Sequence, residues 1–93
     1  MNAIEILKGH EKEIKEKFGV RKIGIFGSFA RGEEKETSDV DVLVELEKPS
    51  FDNFMNLAFF LEDLFQRKVD LVTSNSLSPY IGPYVKNEVV WAD

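Results

Sequence analysis

The sequence predicts a small α/β or α+β domain, a short sheet with helices packed on it in the order αβαβαβαβ, and three observations carry that expectation. Apolar residues recur at helical spacing near the N-terminus and again across the middle of the chain. Short Val- and Ile-rich runs lie between and after these stretches, one of them alternating strictly with polar residues. Gly, Ser and Pro mark the junctions. The 93 residues leave room for one domain, 1–93, and a composition of 43% hydrophobic and 31% charged residues is that of a folded chain.

Ile4, Leu7, Ile14 and Phe18 share one helical face, Glu11 and Glu13 stand four residues before Lys15 and Lys17, and Gly19 supplies a stop. A first helix from about Ala3 to Phe18 follows. Val20–Phe26 reads as a strand that ends at Gly27-Ser28, a tight turn and helix start with a capping hydroxyl. Arg31–Ser38 is polar and without apolar periodicity, hence a solvated loop. From Asp39 to Glu47 the pattern alternates, with Val40, Val42, Val44 and Leu46 on one face and Asp39, Asp41, Leu43 and Glu45 on the other. Pro49-Ser50 breaks this strand. Phe51–Phe65 is then a helix opened by Ser50 or Asp52, with Phe54, Met55, Ala58, Leu61 and Phe65 on one stripe. Phe59 and Phe60 widen the stripe, which suits either a protein interface or burial between the sheet and another helix. Val69–Thr73 is a third strand, Ser78-Pro79 pairs a cap with a first-turn proline for a short helical stretch interrupted at Pro83, and Glu88–Trp91 is a last β-prone segment. Tyr80 and Tyr84 are expected to pack near the end of the sheet.

Seventeen acidic against twelve basic residues, a net charge of -5, argue against unaided binding of nucleic acid by phosphate neutralisation. With no Cys and the single His10, thiolate and multi-histidine metal sites are excluded, so any metal is held by oxygen. No run approaches the length of a membrane span and the start lacks the layout of a signal peptide, so no membrane contact and a cytoplasmic location are expected.

Asp39 and Asp41 lie on the same face of the second strand, where like charges repel unless a cation sits between them; Mg²⁺ is the fitting ion, and solvated edge decoration is the alternative. Gly27-Ser28, at a strand-to-helix turn, either presents N–H groups and a hydroxyl to a phosphate or serves the turn alone. Asp70, at the start of the third strand, joins the pair if the two strands are neighbours and otherwise faces water.

Gly27-Ser28, ten intervening residues, then Asp39-x-Asp41 is a combination expected by chance on the order of one time in a thousand at average composition. The segments Gly27-Ser28-Phe29-Ala30-Arg31-Gly32, Ser38-Asp39-Val40-Asp41-Val42-Leu43-Val44 and Lys68-Val69-Asp70-Leu71-Val72 closely resemble the minimal nucleotidyltransferase (MNT) family, small MntA-like antitoxins paired with HEPN-domain toxins, over nearly the whole chain. The resemblance implies a polymerase-β-like palm with a mixed sheet, using ATP and two Mg²⁺ ions. It implies that Asp39, Asp41 and Asp70 are the catalytic metal ligands, that Gly27 and Ser28 grip the triphosphate, and that Arg31 neutralises phosphate charge. For Arg31, a salt bridge to Asp39 or to the Glu33–Glu36 loop is the other reading. The implied activity is AMP transfer to a tyrosine of a HEPN toxin, with antitoxin action as its output. The alternatives are a non-catalytic antitoxin that neutralises a toxin by docking, and nucleotide transfer to RNA. A homo-oligomer is left open.

Overall fold

In the computed structural model, which describes residues 1–93, the elements run α1 (Ala3–Phe18), β1 (Val20–Phe26), α2 (Ser28–Arg31), β2 (Val40–Leu46), α3 (Phe51–Phe65), β3 (Val69–Thr73), a 3₁₀ turn (Ser74–Ser76), α4 (Gly82–Glu88) and β4 (Val90–Trp91). The order matches the expected alternation, with the 3₁₀ turn added. Asn2 caps α1 by accepting from the Glu5 N–H at 3.2 Å, and Gly19 ends it in the left-handed conformation at φ 62°. Ser50 caps α3 through the Asn53 N–H at 3.0 Å.

The four strands form one mixed sheet in the order β3-β2-β1-β4. β1 pairs antiparallel with both β2 and β4, whereas β2 and β3 are parallel, joined by the crossover through α3. One face of the sheet is covered by α1 and α3. There Leu7 and Ile14 meet Ile23 and Ile25 of β1, Val40, Val42 and Val44 of β2, and Leu57 and Leu61 of α3, all fully buried. Each such side chain contributes roughly 1.5–3 kcal/mol of burial, so this layer dominates the stability of the fold.

The opposite face carries the acids, and it too is partly closed. Leu43 is fully buried there although its neighbours in the alternation are Asp41 and Glu45, and Val85 of α4 is buried outside the main core cluster. A side chain at Gly24 would meet the Val90 carbonyl oxygen at 2.7 Å, the Val89 side chain at 2.8 Å and the Trp91 ring at 3.0 Å. The C-terminal segment therefore lies directly on this face of β1, an approach that only a residue without Cβ permits.

Four local expectations are corrected. The buried line of α3 is Leu57, Leu61 and Phe65; Phe59 is 60% exposed, because the helix has one neighbour layer and its outer side faces solvent. Ser78 heads a separate turn, its Oγ accepting from the Ile81 N–H at 3.1 Å, and α4 starts later, at Gly82. Pro83 consequently falls in the first turn of α4, where no N–H partner is needed, and opens the helix instead of interrupting it. Tyr80 and Tyr84 project outward at 85% and 75% exposure.

Two glycines test this packing with opposite signs. Gly9, in the middle of α1, has open space where a Cβ would stand, so Gly9→Ala is expected to stabilise the chain by up to about 1 kcal/mol, or about 4–8 °C in Tm. Gly24→Ala is expected to lower Tm and shift the Trp91 fluorescence, because the added methyl displaces β4; thermal melts of both variants check this.

Candidate active site

The parallel ladder between β2 and β3 sets Val40 opposite Val69, Asp41 opposite Asp70 and Val42 opposite Leu71. A bond from the Val40 N–H to the Lys68 carbonyl, 3.0 Å, fixes the start of that ladder. Neighbouring strands run roughly 4.7–4.9 Å apart, and residues two apart along a strand share a face. The condition on Asp70 is thus met: it stands beside Asp41, and Asp39 precedes Asp41 by two residues. Asp39 and Asp70 are exposed and Asp41 is half-buried. Burial of the Asp41 carboxyl, then the charges of Asp70 and Asp39, push its pKa up to about 6; Glu88 adds to the rise and Arg31 opposes it.

Gly27 brings the strand-to-helix turn onto this carboxylate. Its φ of 73° and ψ of -152° lie in a region suited to glycine, and a Cβ there would overlap the Asp41 side chain. The N–H groups of Ala30 and Arg31 fold back on the Gly27 carbonyl at 3.0 and 3.1 Å, which makes Gly27, not Ser28, the cap of α2. Ser28 is the first helical residue; its hydroxyl makes no capping bond, and its carbonyl accepts from the Gly32 N–H that closes the turn. Both stand at the acid end of the sheet, since β1 places Phe26 opposite Asp41.

Arg31 closes α2. Its Nε donates to Glu33 Oε2 at 3.2 Å and its Nη1 donates to Glu88 Oε1, so the acidic-loop pairing is realised and the Asp39 pairing is not. Glu88 first, then Glu33, raise the arginine pKa further. Glu88 was not singled out by the motif spacing, and the one local sign of it is a Glu at the last position of a helix, where the dipole disfavours negative charge. Arg67 was missed as well. Its Nη1 donates to the Lys35 and Ser38 carbonyls at 3.1 and 2.9 Å, and its guanidinium lies 5.3 Å from the Phe29 ring centre, which ties the loop before Asp39 to α2. Nothing in the sequence marks a contact of this range.

An oxygen-only donor set in which burial, then acidic neighbours, raise one carboxyl's pKa fits a hard divalent cation. Asp39, Asp41 and Asp70 do not converge as a three-carboxylate metal-holding group, and Mg²⁺ does not require one, because it keeps waters and binds through one or two carboxylates and substrate phosphates. The site is an open surface. A hollow of about 240 Å³ lined by Arg21, Glu45, Thr73 and Asn75 lies at the other end of the β1–β2 ladder, away from the acids.

Comparison with known proteins gives the family and the fold of the chain. Residues 7–92 match the model of the nucleotidyltransferase domain family. The chain is 52% identical over 87 residues to the protein adenylyltransferase MntA of Thermococcus cleftensis, covering 92% of this chain and 88% of that one. It superposes with a TM-score of 0.78 on a solved structure described as a minimal nucleotidyltransferase, at 31% identity over 94% of this chain and 93% of the other. A further likeness, in fold alone, is to a chain in the structure of the tri-AMPylated Shewanella oneidensis HEPN toxin in complex with MNT antitoxin, with a TM-score of 0.69 and 18% identity over 97% and 71% of the two chains. No helix is long and apolar enough to cross a membrane.

The Asp41 carboxyl has a higher pKa folded, about 6, than the roughly 3.9 of an unfolded chain, so the folded state binds the proton more tightly. Its stabilising contribution is present below about pH 4 and is lost as pH rises through 6. In metal-free buffer, Asp41→Asn is expected to raise Tm by a few degrees at pH 7.5 and to flatten the melting profile between pH 4 and 6. Gly27→Ala is expected to lower Tm by the equivalent of about 1–2 kcal/mol, since the turn is left-handed and the methyl displaces Asp41. Calorimetry of the two variants against pH reads both.

Proposed function

The chain belongs to the nucleotidyltransferase domain family, and from that premise we propose that it transfers AMP from ATP to a hydroxyl of a protein partner, a HEPN-domain toxin, and so acts as an antitoxin. The observation that carries this reading is the juxtaposition of Asp41 with Asp70 across the parallel ladder, with Asp39 immediately before the strand and the Gly27 turn against Asp41. The similarity to a protein adenylyltransferase over most of both chains supports the choice of AMP and of a protein acceptor.

Asp39, Asp41 and Asp70 would hold two Mg²⁺ ions, which when bound supply Lewis-acid stabilisation to the entering and leaving oxygens of an in-line displacement. The chain's own part is placement. The Gly27-Ser28 turn and Arg31 orient the triphosphate beside the acids, and the rigid ladder keeps the α-phosphorus in reach of an acceptor hydroxyl. That hydroxyl oxygen forms the new bond to the α-phosphorus and gives up its proton to solvent water, while the bond to the bridging oxygen breaks and pyrophosphate departs. A tyrosine of the toxin is the proposed acceptor. The acidic balance of the chain, -5 overall, disfavours RNA in that role because phosphate neutralisation would be lacking.

The test is transfer from α-labelled ATP with Mg²⁺ to a co-purified HEPN protein, with γ-labelled ATP as the control for phosphorylation. The wild type is expected to label the toxin from the α position only. Asp39→Asn or Asp41→Asn is expected to reduce labelling at least a hundredfold while the variant stays folded and still binds the toxin. Labelled RNA in place of protein, or toxin neutralisation undiminished in both variants without any labelling, would overturn the reading.

A further inference from the structure

We propose that Glu88 is a positioning residue for the nucleotide, acting through Arg31. The inference rests on the reading that Arg31 meets the triphosphate, and it adds a residue that no motif contains.

Glu88 is the last residue of α4, where a negative charge opposes the helix dipole, so local structure gives no reason for a glutamate there. Its compensation is tertiary. Oε1 accepts from Nη1 of Arg31, 57 residues away in the chain, and the Glu88 side chain is only 25% exposed against 48% for Arg31. Both partners sit on backbone that is held on two sides. Arg31 lies between the Gly27 cap and the left-handed Gly32, and Glu88 lies between the buried Val85 and the Val90–Trp91 strand paired to Gly24 and Ile25. Arg31 ends the one-turn helix that Gly27 caps, and Gly27 lies against the Asp41 carboxylate, which brings the pair to the acid end of the sheet.

A free arginine side chain samples many rotamers, and fixing it when a phosphate arrives costs binding free energy. Glu88 and Glu33 engage Nη1 and Nε and leave the remaining N–H donors of the guanidinium for a phosphate oxygen. The arginine is thereby ordered before the nucleotide binds. Of the two carboxylates Glu88 is the more constrained, because Glu33 sits in the exposed loop.

The experiment is a double-mutant cycle on the Kd for ATP with Mg²⁺, measured by titration calorimetry on the full chain, with Glu88→Ala, Glu88→Gln, Arg31→Ala and Arg31→Ala/Glu88→Ala. Glu88→Ala is expected to weaken ATP binding about three- to tenfold. Glu88→Gln, which keeps an acceptor oxygen, is expected to restore most of that loss, and Glu88→Ala is expected to add nothing in the Arg31→Ala background. In the metal-free, nucleotide-free chain, the Arg31 Nη–H resonances are expected to be shifted and slow to exchange in the wild type and in Glu88→Gln, and to collapse to the free-arginine position in Glu88→Ala, while Nε–H, held by Glu33, serves as the internal control. An equal loss in both Arg31 backgrounds would make Glu88 a residue of the fold alone. Tighter ATP binding in both Glu88 variants would make it a competitor of phosphate, and unchanged binding would leave it without a role; each of these results overturns the proposal. Wild-type chain that binds ATP with this coupling but labels no protein would remove the proposed reaction and leave the pairing intact, whereas labelling with additive substitutions would do the reverse.

Discussion

Two carboxylates side by side across a parallel ladder repel each other, and the fold must hold Asp41 and Asp70 there against that repulsion. What holds them is the other face of the same strand. Val40 and Val42 flank Asp41 and are fully buried against α1 and α3, so a slip of one residue would turn the valines to solvent and the acid into the core. The register that buries the valines is therefore the register that sets Asp41 opposite Asp70. Burial first, then the charges of Asp70 and Asp39, raise the Asp41 pKa, and a bound cation is the natural means of relieving the repulsion.

The surroundings of the acids follow from this constraint. The turn after β1 has to pass over the Asp41 carboxylate, and it can do so only because Gly27 has no side chain. The loop before Asp39 is long and polar, and Arg67 ties it down through two carbonyls instead of leaving Asp39 on a free tether. Arg31 supplies positive charge next to the acids, and Glu88 and Glu33 hold that charge in place. The result is a site built from oxygen atoms, backbone and one arginine, with no histidine or cysteine taking part. Transfer of a nucleotide asks for no more than this, because positioning and charge stabilisation account for most of phosphoryl-transfer catalysis.

Much of this was legible in the sequence, and the reason is local. The bounds of α1, β1, α3 and β3 follow from periodicity and from the capping residues Gly19 and Ser50. The period of two in β2 was enough to put Asp41 on the face opposite the buried valines, while Asp39 stands just before the first strand residue. The segment after β3 was less legible, because Ser78-Pro79 and Pro83 carry similar start signals and only the packing of Gly82 and Val85 decides which of them opens α4. The outward positions of Phe59, Tyr80 and Tyr84 were hidden for a related reason: composition shows that a residue is apolar, not whether a neighbour exists to cover it.

The sequence by itself determined the order of the elements, the oxygen-only character of the candidate site and the spacing of the Gly-Ser turn from the Asp pair. The elements and the spacing rest on short stretches, where chain geometry leaves few choices, and the oxygen-only character rests on the absence of Cys and the single His in the whole chain. Tertiary structure alone decided that β2 and β3 are neighbours in the register that matches Asp41 with Asp70, that Leu43 is buried on the acid-bearing face, and that Arg31 meets Glu88 across 57 residues. Those pairings are fixed by which faces pack together, and no local spacing encodes a contact that only the closed core brings about.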